Sequence, residues 1–262
     1  MTQWSALSGA TRYEFAMQLR RPSLWVGLGL SSVLLMATFG SFTTLSPDRS
    51  GGISHGETLV LWTITCSFLV TAGAGLLLAD RTPRDRKMKT LELLRTSPAA
   101  TLARILGKYT GAVSATLVPI ALIYAIGVGR LIALWGDGGL LPMALATFAA
   151  ILVPAVLFVG AFSIACPTVL WTPLYQFLFV GYWLWTSLNP GQAIPTLSGT
   201  LLSPGLNYVV TGFFHFSAYD PIDKGFYPES SVALGVANIA ALLACGALAL
   251  LAAWRVQTRR EA

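Results

Sequence analysis

The sequence predicts an all-α integral membrane protein. Three observations carry this: hydrophobic residues make up 55% of the 262 positions, charged residues only 11%, and the apolar residues gather into runs of spanning length. An ordinary soluble domain carries about a quarter of its residues charged, whereas crossing a bilayer takes about 20 mostly apolar residues. The runs Leu24 to Leu45, Thr58 to Ala79, Ile105 to Leu134, Leu140 to Ile164, Val169 to Leu188 and Val232 to Trp254 meet that length, giving six predicted transmembrane helices. None alternates apolar with polar residues as a membrane barrel strand does, and a helix satisfies its own backbone hydrogen bonds in lipid.

Residues 1–23 precede the first span. Trp4, Leu7, Thr11, Phe15 and Leu19 recur there at helical spacing, with Arg12, Gln18 and Arg20 off that stripe. The pattern predicts an interfacial amphipathic helix, and Pro22 marks the turn into the span. The first span is longer than a secretory signal and lacks a small-residue cleavage site after it, so it reads as retained.

Gly73 and Gly75, with Ala72 and Ala74, suit the second span to close helix approach. The third run exceeds what a bilayer requires, so its helix is expected to protrude or tilt, with Ser97 as its cap and Pro98 at its first position. Ala165 to Thr168 form a short turn between the fourth and fifth spans. The segment 189–231 is the longest connection, interrupted by five prolines; within it GLNYVVTGFFHF is apolar but too short to cross. Short re-entrant or interfacial helices are expected there, with Tyr208, Phe213, Phe214 and Phe216 at the membrane surface.

Most of the 17 basic residues lie on one side of this arrangement: Arg12, Arg20 and Arg21 at the start, Arg81 through Lys108 after the second span, and Arg255, Arg259 and Arg260 at the end. The other side holds Arg49, Arg130 and Lys224 among acidic Asp48, Glu57, Asp137, Asp220, Asp223 and Glu229. Basic loops stay in the cytoplasm, which places both termini inside. The net charge of +6 is thereby used by topology and is not collected into a nucleic-acid-reading motif. Cys66, Cys166 and Cys245 lack metal or redox spacing and read as packed thiols.

The charged connection between the second and third spans, 80–104, holds the most informative stretch. Met88, Leu91 and Leu94 recur at helical spacing while Lys89, Glu92 and Arg95 point elsewhere, so a short amphipathic helix ends near Ser97 and a new one begins at Pro98. The result is an elbow beneath the membrane; periodicity alone is equally that of a surface helix in a basic loop.

The wording of this stretch resembles the corresponding loop of type-2 ATP-binding-cassette (ABC) exporter permeases, which reads approximately E-R-E-x-G-T-L-E-x-L-L-x-[ST]-P-x-x-R-x-x-x-x-G-K. Arg86, Thr90, Leu91, Glu92, Leu94, Ser97 and Pro98 match it in register, and Gly107 and Lys108 match its Gly-Lys pair one position further on; Asp85, Lys87, Lys89, Arg95 and Thr101 depart from it. The layout is also similar: a first helix ending in Arg-Arg-Pro, six spans, a small inner turn and an outer segment before the sixth. The resemblance implies a single permease domain over 1–262, whose elbow is a coupling helix seated in a separate ATPase subunit. Thr90, Leu91, Glu92, Leu94, Arg95, Ser97 and Pro98 are then the docking surface. It further implies two copies of that ATPase, which bring ATP and Mg, a second permease chain, identical or homologous, and a bacterial-type inner membrane. Leu91 and Leu94 serve equally well as docking anchors or as residues packed against this chain's own first helix.

No cofactor or catalytic residue is expected in the chain. Gly107-Lys108 is not a nucleotide-binding loop, because Tyr109 follows and no glycine stands five residues earlier; the ordinary reading is a tight helix contact. In the fifth span Trp171, Tyr175, Phe179, Tyr182 and Trp185 are predicted on one face beside Gln176. Tyr175, Gln176, Phe179 and Tyr182 are candidates for lining a translocation path, although such stripes more often serve packing.

Three other readings stay open, one of them a purely structural membrane subunit that leaves a partner's ATP turnover unaltered. An ATP-independent, ion-coupled transporter would need ionisable groups at membrane depth, and the spans offer only Arg130 near an outer end and polar Gln176 and Asn238. A membrane-embedded enzyme could draw on His55 and His215 with the outer acidic residues, but neither histidine has ligand spacing to the other.

Overall fold

The computed structural model describes residues 3–43, 54–81, 101–187, 197–216 and 230–261. All regular structure among them is helical. The elements are α1 (Gln3–Leu19), α2 (Pro22–Thr43), α3 (His55–Ala79), α4 (Thr101–Trp135), α5 (Leu140–Thr168), α6 (Thr172–Ser187), α7 (Asn207–Phe214) and α8 (Val232–Glu261). Four are long and apolar enough to cross a membrane: α3, α4, α5 and α8.

The other two predicted spans are shorter. Helix α2 has 22 residues, of which the apolar helix Pro22–Ala37 falls below spanning length, and α6 has 16 residues. The predicted fifth span begins at Val169, but the helix starts at Thr172, after the 3-10 turn Cys166–Thr168. Pro173 accounts for the start: proline has no N–H to donate, which suits the first turn of a helix, where no carbonyl partner exists. The expected break between the fourth and fifth runs is therefore present.

Helix ends follow local chemistry elsewhere. At the start of α3, Ser54 accepts from the Glu57 N–H at 3.2 Å while the Glu57 carboxylate accepts from the Ser54 N–H at 2.8 Å. This capping box satisfies two donors reciprocally. Within α5 the backbone widens to a π-helical turn over Phe148–Leu152, directly before Pro154. The proline ring crowds the carbonyl four residues earlier and supplies no N–H, so the ladder slips by one residue.

Helix α3 runs antiparallel to α2, α4 and α6 and parallel to α5, where Thr63 meets Thr147 and Gly75 meets Val159. Gly27 of α2 meets Leu77 of α3, and Gly73 meets Ser31. The Trp62 indole donates to the Tyr124 carbonyl of α4 at 3.4 Å, while Leu78 shares a cluster with Ala112. From α6, Trp183 donates to the Phe68 carbonyl at 3.0 Å and Gln176 to the Leu76 carbonyl at 3.3 Å. Gly246 of α8 lies on Ala161 of α5. Close approach along α3 is thus made within the chain, as its small residues predict. The same arrangement puts Arg81, Arg104, Lys108, Arg255 and Arg259 at one end of the bundle and His55, Glu57, Arg130 and Asp137 at the other.

A buried hydroxyl cluster ties three helices together. Tyr124 Oη lies 2.8 Å from Thr147 Oγ1, 3.1 Å from Thr63 Oγ1, and donates to the Ala144 carbonyl at 3.1 Å. Thr63 and Thr147 are fully buried. Tyr124→Phe keeps the ring and deletes the hub; interhelical hydrogen bonds in membranes are worth up to about 1.7 kcal/mol, and a loss of about 1 to 2 kcal/mol is expected in detergent-based unfolding.

The short α7 occupies the apolar stretch expected not to cross. Its aromatic neighbours differ from expectation: Phe216 is 3% exposed, packed with Leu206, Val209 and Val210, and Phe213 and Phe214 are half-buried. His215 takes a left-handed backbone conformation (φ 48°) as the cap of α7, which reverses the chain and folds Phe216 back onto the core.

Candidate functional site

The elbow residues Thr90, Leu91, Glu92, Leu94, Arg95, Ser97 and Pro98 lie outside the described residues. Both roots of that connection are described, and they converge on α1. On one side α3 ends at Ala79 and is followed by Arg81, whose side chain is 1% exposed and donates from Nη2 to Glu14 Oε2 of α1. On the other side the first turns of α4 pack along α1.

Two glycines one turn apart permit that packing. A Cβ on Gly107 would stand 2.6 Å from Ala10 Cβ, and one on Gly111 would stand 2.5 Å from the Thr11 carbonyl oxygen and 2.7 Å from Glu14 Cβ. Small residues four apart let backbones approach in this way. Thr11 Oγ1 and Thr110 Oγ1 close the seam at 2.9 Å. The tight helix contact expected at Gly107 is present, and its partner is α1.

The face of α1 differs from the predicted stripe. Leu7, Ala10, Thr11, Glu14 and Phe15 line the α4 contact, Gln18 is 1% exposed, and Trp4 is 79% exposed. Arg12 is exposed, as predicted. The chain thus spends buried volume on a carboxylate because of Arg81: burial of a lone guanidinium is costly, and a carboxylate from the neighbouring helix offsets it, while the Gln18 amide oxygen accepts from Arg21 Nη1 at 3.4 Å. Glu14 escaped the sequence reading, although it is the only acidic residue before Asp48.

The face proposed for a translocation path packs inside the chain. Tyr175 is 5% and Phe179 7% exposed, in one cluster with Val60, Val159 and Trp183. The Tyr175 hydroxyl lies 3.0 Å from Ser163 Oγ, and Phe179 covers Gly75. Gln176 is used in the bond to Leu76, and Tyr182 is half-buried. Trp171 and Trp185, predicted on the same face, are exposed. The stripe therefore divides, with its centre joined to α3 and α5 and its ends outside the core.

At the opposite end of the bundle, His55 stacks on Trp135 at 4.4 Å and approaches Asp137 at 3.6 Å. His215 caps α7 instead. The two histidines belong to different elements, and no group of three His, Cys, Asp or Glu side chains suited to a metal occurs among the described residues. The three cysteines are free thiols. Asn238 donates to the Leu201 carbonyl at 2.7 Å, which anchors the segment before α7 to α8. In comparisons with known proteins, no family model and no curated protein matches this chain.

Proposed function

We propose that this chain is the membrane-spanning permease subunit of an ABC exporter, coupled through residues 80–104 to a separate ATPase subunit. The observation that carries the reading is the stretch Arg86 to Lys108, with its match to the coupling loop of such permeases, set between two firmly held roots. A motor moves a membrane path only through a stiff connection. The buried Arg81–Glu14 pair and the Gly107/Gly111 seam tie the end of α3 and the start of α4 to α1, so a push on the elbow reaches all three helices together.

In this reading α2 and α6 complete six spans, both termini face the cytoplasm and the membrane is a bacterial-type inner membrane. The basic end of the bundle supports that orientation. Two ATPase copies bind ATP and Mg and drive two permease chains; Leu91 and Leu94 anchor the elbow in the motor while Glu92 and Arg95 orient it. ATP shifts the permease between states only through unequal binding to them.

The binding step is tested by co-purification. A candidate ATPase subunit taken from the neighbouring coding region is expected to be retained by the wild-type protein and lost from Leu94→Asp, with the variant still monodisperse. Equal retention by both would remove the elbow from the docking surface.

A further inference from the structure

A groove of about 490 Å³ runs between α1 and α4. Leu7 and Phe15 form an apolar wall, and Trp4, Arg12, Thr110 and Ser114 edge it. The edge hydroxyls are occupied: Thr110 donates to the Leu106 carbonyl at 2.8 Å and Ser114 to the Thr110 carbonyl at 2.6 Å. Arg12 is different. It is exposed and enters no ion pair among the described residues. The groove thus offers an apolar slot with a free cation at its mouth.

Its depth in the bundle is informative. Ala112, between Thr110 and Ser114, shares a cluster with Leu78, which lies three residues before Arg81 at the end of the apolar stretch of α3. The groove is therefore level with the boundary between hydrocarbon and headgroups. The exposed residues of α1 have matching chemistry: Trp4 is 79% and Tyr13 66% exposed, and Arg12 and Arg20 are exposed as well. Aromatic rings and arginines together are the composition of a helix seated among headgroups.

We infer that this groove binds an anionic phospholipid, with its phosphate on Arg12 and an acyl chain along Leu7 and Phe15. The inference rests on the chain's being a membrane protein and not on its being a permease. A peptide segment of a partner would fill the slot but gives no reason for an unpaired arginine at the headgroup level; a phosphate does, through charge-assisted hydrogen bonds.

The test is fluorescence quenching of the full-length protein in nanodiscs by brominated phosphatidylglycerol or brominated phosphatidylcholine at equal dilution. The difference between wild type and Trp4→Phe isolates Trp4 from the other tryptophans. One basic residue near an anionic surface corresponds to about a fivefold preference, so Trp4 is expected to be quenched about fivefold more effectively by the anionic lipid. Arg12→Gln abolishes the preference, Arg12→Lys keeps most of it, and Arg20→Gln, outside the groove, keeps it. Equal quenching by both lipids, or an unchanged preference in Arg12→Gln, overturns the inference. So does a Trp4 reached by neither lipid and shielded only when the ATPase is added, which would make the groove a protein contact. Loss of the lipid preference leaves the co-purification result untouched, so the two proposals fail separately.

Discussion

Glu14→Gln is expected to lower the stability of the protein by about 3 kcal/mol, at the lower end of the range for breaking a buried ion pair by removing one partner. The carboxylate lies against a guanidinium that is 1% exposed, and the neutral amide leaves that cation buried without its counter-charge. Arg81 retains other polar contacts, which places the effect at the lower end. The double variant Glu14→Gln/Arg81→Met removes both charges and so is expected to be more stable than Glu14→Gln alone. Unfolding midpoints of the wild type, both single variants and the double variant in one detergent form the required cycle. A double variant less stable than either single one would show that the pair is not coupled as the structure implies.

Gly107→Leu and Gly111→Leu are expected to unseat α1. Helix α1 lies where their side chains would go: the Thr11 carbonyl and Glu14 Cβ at Gly111, Ala10 Cβ at Gly107. Overpacking a tight contact costs about 1 to 3 kcal/mol, and a helix of 17 residues released from its support is marginal on its own. Hydrogen exchange is the suitable readout. Amides of residues 3–19 should exchange much faster in both variants, while α5 and α8 keep their protection. Gly9→Leu is the control, since nothing lies within 4 Å of a Cβ there, and it is expected to leave α1 in place. Rapid exchange in the control as well would attribute the effect to α1 itself and not to its seam with α4.

Hydropathy and helix-terminal chemistry made much of this fold readable. The 35-residue α4 has the excess length expected of the third run, α2 begins at Pro22, and the turn after Ala165 lies where the fourth span was expected to end. Gly107 was legible as a packing position because glycine in a helix must be justified by close approach. Pairings across long sequence distances were not. Glu14 and Arg81 are 67 residues apart, and nothing in the local pattern of α1 separates a carboxylate that faces solvent from one that faces a buried arginine. The division of the fifth-run stripe was hidden for a related reason: periodicity shows which residues share a face, but not what covers it, and Gly75 of α3 provided a seat for Phe179. Phe216 was misplaced because the left-handed turn at His215 has no strong sequence signal. The elbow itself was read from its resemblance and its periodicity, and its residues lie outside those described.

The central claim is that ATP turnover in a partner subunit is coupled to this chain through the elbow. The direct measurement is the ATPase rate of the candidate motor reconstituted in lipid nanodiscs with wild-type protein, with Glu92→Lys and with Glu14→Gln. The account predicts that the wild-type chain changes the motor's rate, that Glu92→Lys removes this effect, and that Glu14→Gln weakens it while the motor stays bound, because the root of the elbow is loosened and its docking surface is intact. A motor whose turnover is the same with the wild-type chain, with Glu92→Lys and in empty nanodiscs would contradict the account, and would favour an ATP-independent transporter or a membrane-embedded enzyme.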